Sequence, residues 1–126
     1  MTPSAWPPGV LAGLAARDDF HVAPYREDGV TPGTLIRVWS AVVDGAVYVR
    51  SANPASRWFA AAVRERAGIV RTAGDEGAAT FAPVADEALK DRVDAAYTAK
   101  YAADPYYSAG LLERSRHQIA EVRPAG

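Results

Sequence analysis

Residues 33–67 read GTLIRVWSAVVDGAVYVRSANPASRWFAAAVRERA, and the fold turns on how this stretch is parsed. Positions 34–43 are largely β-branched or aromatic, Asp44-Gly45 tolerates the positive φ that both centres of a type I′ turn require, and 46–51 returns as a second strand. The turn fixes the register: Val43 faces Ala46, Val42 faces Val47, Ala41 faces Tyr48, Ser40 faces Val49, Trp39 faces Arg50 and Val38 faces Ser51. Directly opposed residues share a face. One side of the ribbon therefore carries Ile36, Val38, Val42, Val47 and Val49, a core face, and the other carries Arg37, Trp39, Tyr48 and Arg50, the first candidate for a substrate-binding surface.

The exit from this hairpin predicts a helix. Asn53 suits the N-cap, Pro54 the first helical position, and Trp58, Phe59, Ala62 and Val63 form an apolar stripe that ends before Gly68 at C′. Ser51, Ser56 and Arg57 lie near its first turn, where unpaired backbone N–H groups meet the positive end of the helix dipole. Two readings stand: a phosphate or carboxylate pocket, or an ordinary capped helix with solvated arginines.

At 126 residues the chain is expected to form a single domain, residues 1–126, and 49% hydrophobic content is that of a globular protein. A formal net charge of -1, with basic and acidic residues interspersed, gives no footprint for nucleic acid or an acidic membrane surface. No cysteine is present, which removes disulfides, thiolate nucleophiles and cysteine-ligated metals. The opening MTPSAWPPGV lacks a basic region followed by an apolar run, and no segment is long enough to cross a bilayer, so a cytoplasmic location is expected.

In chain order, Trp6-Pro7-Pro8-Gly9 leads into a short helix over 10–16, and 19–25 reads as a strand ending at Pro24. After the central helix, 69–73 and 78–84 read as strands joined by a turn at 74–77. Asp86 caps the longest helix, where Leu89, Val93, Ala96, Tyr97, Lys100 and Tyr101 recur at helical spacing until Asp104-Pro105. Lys90, Asp91, Arg92 and Asp94 fall mostly off that stripe and read as a solvated face. Residues 108–116 read as irregular, and 118–122 as a last strand. The expected fold is mainly β, a small antiparallel split β-barrel flanked by two helices, with an open α+β sheet as the competitor.

Standard catalytic constellations are missing. There is no Gly-x-Ser-x-Gly elbow, phosphate loop, Gly-x-Gly-x-x-Gly or His-Glu-x-x-His, and no metal-ligand spacing. His21 and His117 stand far apart, the neighbouring Asp18-Asp19 point to opposite sides of a strand, and Tyr97, Tyr101, Tyr106 and Tyr107 read either as pocket lining or as core packing.

The succession PYREDG, IRVWSAVVDGAVYVRS, SRWFAAAV with GIV, DRVDAAYTAKY and a terminal strand ending RP resembles the bacterial family named domain of unknown function 2255, over nearly the whole chain. That family is in turn similar to the flavin-binding split-barrel clan, which includes pyridoxamine-phosphate-oxidase-like proteins and deazaflavin-dependent nitroreductases. The resemblance implies a homodimer holding FMN or a deazaflavin coenzyme, with Arg50, Ser51, Ser56 and Arg57 at the phosphate and Trp39 and Trp58 as walls for the ring. The function it implies is that of a flavin- or deazaflavin-dependent oxidoreductase acting on a small organic substrate. The alternatives are a cofactor-free enzyme (isomerase, cyclase or dehydratase) using the Arg37, Trp39, Tyr48 and Arg50 face, and a non-catalytic small-molecule-binding dimer.

Overall fold

The structure, a computed structural model, describes residues 6–16, 20–72 and 75–125. Asp18-Asp19 lie outside them. Among the described residues the chain forms four helices and seven strands. These are α1 (Pro8–Ala16), β1 (Phe20–Pro24), β2 (Ile36–Arg37), β3 (Ser40–Val43), β4 (Ala46–Arg50), α2 (Arg57–Glu65), β5 (Ala67–Thr72), β6 (Asp75–Pro83), α3 (Glu87–Tyr101), α4 (Ala109–Ser115) and β7 (Ile119–Pro124). The strands make one curled, half-barrel antiparallel sheet in the order β2-β1-β5-β6-β7-β4-β3.

The hairpin has the register its turn dictates, with Ser40 opposite Val49, Ala41 opposite Tyr48, Val42 opposite Val47 and Val43 opposite Ala46. Asp44 and Gly45 take the positive φ values, 50° and 78°, that the type I′ turn requires. The run 34–43, expected as one strand, is instead broken at Val38-Trp39. Its first part, β2, pairs with β1 (His21 opposite Arg37, Val22 opposite Ile36), and its second part, β3, pairs with β4. The two edges of the sheet are thus consecutive pieces of one bent segment, which is why the sheet curls.

Helix α3 sustains the bend with side chains that replace ladder hydrogen bonds. Tyr101 Oη accepts from the Ser40 N–H at 3.0 Å, Lys100 Nζ donates to the Ser40 carbonyl at 2.8 Å, and Tyr97 Oη donates to the Trp39 carbonyl at 2.9 Å. Lys100 also donates to the Leu14 carbonyl, tying α1 to the same place.

Two apolar layers follow. Phe20, Val22, Val47, Val49, Phe81 and Val122 fill the inside of the curl beneath α1 and α2, while Ala41, Val43, Tyr48, Val93, Tyr97 and Ile119 are buried between the sheet and α3. The hairpin therefore has no solvated face: α3 covers Tyr48 and Arg50. Ile36, expected in the core, is 39% exposed because β2 has left the ribbon for the edge of β1.

The remaining boundaries shift for local reasons. Helix α2 is capped by Ser56, whose Oγ accepts from the Phe59 N–H at 3.3 Å, whereas Asn53 closes the turn before it through Oδ1 and the Ala55 N–H at 2.9 Å. It ends at Arg66 in the left-handed region, φ 60°, rather than at Gly68. Gly68 has another role: it lies in β5 opposite Pro24, where a Cβ would stand 2.5 Å from the Ala23 carbonyl oxygen. Strands β5 and β6 pair as far as Thr72 opposite Asp75, so 75–77 belong to a strand and not to the expected turn. The segment 109–115 is a helix, capped by Ser108 through the Leu111 N–H at 3.1 Å. No helix among the described residues is long and apolar enough to cross a membrane.

Candidate functional site

Where the bend, the end of β4 and three helices meet, they line a cavity of about 440 Å³ that is open to solvent on one side. Val38 and Trp39 come from the bend, Arg50 to Asn53 from the end of β4 and its loop, Trp58 from α2, Tyr97 from α3, Tyr106 from the α3–α4 turn, and Leu111, Leu112 and Ser115 from α4. The lining is chiefly apolar and aromatic.

Three parts of the wall are held from behind. The Trp39 ring stacks on Tyr101, 4.0 Å between centroids and 4° between planes. Gln118 Nε2 donates to the carbonyls of Ser51 (2.9 Å) and Asn53 (2.8 Å), fixing the loop rim, and Ser51 Oγ accepts from the Asn53 N–H at 3.3 Å. The connection between α3 and α4 is pinned by the Asp104 carboxylate, which accepts the Tyr106 N–H at 2.8 Å, and by the Thr98–Tyr107 hydroxyl pair at 2.8 Å.

Among the described residues Arg50 is the one guanidinium on the wall, and the protein engages it on three sides. Its Nε donates to Ser115 Oγ (2.7 Å), Nη1 to Asp94 Oδ1 (2.6 Å) and Nη2 to the Leu112 carbonyl (2.9 Å), while its cationic carbon lies 5.1 Å from the centre of the Tyr97 ring. Asp94 is in turn bridged by Arg116 Nη1 at 2.7 Å, and Arg116 reaches Asp91 and Glu87 on α3. Bonds from Asp91 and then Glu87 raise the Arg116 pKa, and bonds from Arg116 and then Lys90 lower that of Glu87. Asp94, expected on a solvated face, is thus the link between sheet and α4, and Lys90 is buried.

The sequence-derived candidates separate into groups. Trp39, Arg50, Ser51 and Trp58 meet at the cavity. Ser56 is spent on the α2 cap. Arg57 is exposed and lines a second, wider groove of about 720 Å³, shared with Arg26, Glu27, Asp28, Trp58 and Arg64. Arg37 sits on β2 and Tyr48 beneath α3, where burial raises its phenol pKa, so Arg37, Trp39, Tyr48 and Arg50 do not form one surface. Sequence reasoning missed Val38, Ala52, Asn53, Leu111, Leu112 and Ser115. It left Tyr97 and Tyr106 between pocket and core, and the place of Tyr106 directly after the chain-breaking Asp104-Pro105, outside any helical stripe, was the available signal. Among the described residues no three His, Cys, Asp or Glu side chains are grouped to hold a metal ion.

No curated protein matches the chain. A family model described as an uncharacterized protein conserved in bacteria, DUF2255, matches residues 10–122, and the chain belongs to that family.

Proposed function

We propose that this cavity binds a planar aromatic ring and that the chain is a flavin- or deazaflavin-dependent oxidoreductase acting on a small organic substrate. The observation that carries the reading is the wall itself, in which Trp39, Trp58, Tyr97 and Tyr106 join Val38, Leu111 and Leu112 around about 440 Å³. A cavity of that size with few polar groups suits a ring system held by apolar and stacking contacts. Its ionisable wall residues among those described are Arg50, Tyr97 and Tyr106, and the first two are already engaged by Asp94 and the Trp39 carbonyl. Among the described residues no acid–base pair lines the cavity, an arrangement in keeping with a bound group that accepts and returns hydride while the protein supplies shape and orientation.

The curled sheet is compatible with the split barrel that the resemblance implies, and a homodimer in the cytoplasm belongs to the same reading. The test is a titration of the purified protein with FMN and with a deazaflavin coenzyme, followed by absorbance and tryptophan fluorescence. Saturable binding weakened by Trp58→Leu supports the proposal. Absence of binding by either at concentrations well above cellular ones refutes it. A second reading, a non-catalytic small-molecule-binding protein, draws on the same engagement of Arg50 and Tyr97, since binding alone needs no acid or base. Turnover with a reduced coenzyme separates the two.

A further inference from the structure

Within the reading of this cavity as a ring-binding site, we infer that it takes an uncharged ring and that Tyr106 is the side chain that covers it. Any anionic arm of the ligand then stays outside.

The charge argument starts from Arg50. Its guanidinium is held by Asp94, Ser115 and the Leu112 carbonyl, and the second oxygen of Asp94 is held by Arg116. An anion entering the cavity would have to share Arg50 with Asp94 and stand beside that carboxylate. A cation would meet Arg50 with no carboxylate among the described residues of the wall. Either charge is opposed there, an anion by the neighbouring Asp94 carboxylate and a cation by Arg50, whereas an uncharged ring meets neither repulsion.

Tyr106 supplies the second, independent observation. It lines the cavity yet is 83% exposed, whereas Tyr97, which lines the same cavity, is buried. Its backbone is fixed by the Asp104 carboxylate, and the adjacent Tyr107 is anchored through its N–H to the Asp104 carbonyl at 3.0 Å and through its hydroxyl to Thr98. A large ring displayed on a fixed turn at the mouth of an aromatic cavity stacks on a ligand at little ordering cost.

Two pairs of probes test this by quenching of tryptophan fluorescence: riboflavin against FMN, which share a ring and differ by a phosphate, and naphthol against naphthoate, which carry the same contrast without a flavin. The uncharged member of each pair that binds is expected to bind at least as tightly as the anionic one. Tyr106→Ala should weaken it roughly tenfold and Tyr106→Phe leave it unchanged. Because Tyr106 is exposed, both variants should unfold at the temperature of the parent protein. If naphthol binds in this way and neither flavin does, the flavin proposal falls and this inference stands. A roughly tenfold preference for FMN or naphthoate overturns it, as does an unchanged affinity in Tyr106→Ala or a failure of all four probes to bind.

Discussion

Asp94→Ala should be among the most destabilising single changes on α3, although the sequence places Asp94 off the apolar stripe. The Arg50 side chain is 4% exposed and that of Asp94 25%, so removing the carboxylate strands a buried guanidinium that keeps Ser115, the Leu112 carbonyl and the face of the Tyr97 ring as partners but has lost its counter-charge. Breaking one side of a buried ion pair costs about 3–5 kcal/mol, and the partial exposure of Asp94 lets water recover some of it, giving about 2–4 kcal/mol here. For a chain of this length that is a fall in Tm of roughly 8–16 °C. Arg50→Met removes the charge along with its demand for a partner and should cost less, about 1–3 kcal/mol. The decisive assay is a urea-denaturation cycle of the two single variants and the double variant. The double variant should be more stable than Asp94→Ala alone, because the stranded charge is gone. Additive losses, with a coupling below about 0.5 kcal/mol, would refute the account of Arg50 as an internally neutralised group.

Three further outcomes follow from particular contacts. Gly68→Ala places a methyl 2.5 Å from the Ala23 carbonyl oxygen and 2.6 Å from Pro24 Cα, both backbone, and should cost about 3 kcal/mol in chemical denaturation. Ser56→Ala should cost about 1 kcal/mol by removing the α2 cap, more than Asn53→Ala, reversing the order expected if Asn53 capped the helix. Asp28 accepts from the Thr31 hydroxyl and from the Thr31 and Val30 N–H groups, which lower its pKa from 3.8 to about 2. Its folded-state pKa is depressed, so its contribution to stability is present above the unfolded value and is lost as pH falls from about 4 through about 2. An NMR titration should find that midpoint, and Thr31→Val should move it back toward 3.8.

The hairpin was legible because everything that sets its register is local: Asp44-Gly45 and the residues within a few positions of it. The bend was not, since nothing between Thr34 and Val43 breaks a β pattern. What bends the strand is the trio Tyr97, Lys100 and Tyr101, some sixty residues away, which bond to the Trp39 and Ser40 backbone. Asn53 and Ser56 are both good caps three positions apart, and local chemistry alone does not say which one the helix uses. Of the candidate site, Arg50 and Ser51 were visible at the hairpin exit and Trp39 on the ribbon face opposite Arg50, while Trp58 entered as a ring wall only through the family resemblance. The α4 side of the cavity was hidden because a seven-residue helix with Gly110 in its first turn carries almost no periodic signal. Asp94 shows the same limit: its role depends on where Arg50 arrives, which no spacing along α3 encodes.

The outer edge of β3 finds its hydrogen-bonding partners in side chains of α3, and those side chains are made late. In synthesis the hairpin, complete at Arg50, emerges about fifty residues before Tyr101, an interval on the order of several seconds. Throughout it the Ser40 N–H and carbonyl are open to pairing with any other extended chain. The nascent protein therefore passes through a period in which its best-formed element is also its most adhesive one, and docking of α3 ends that period.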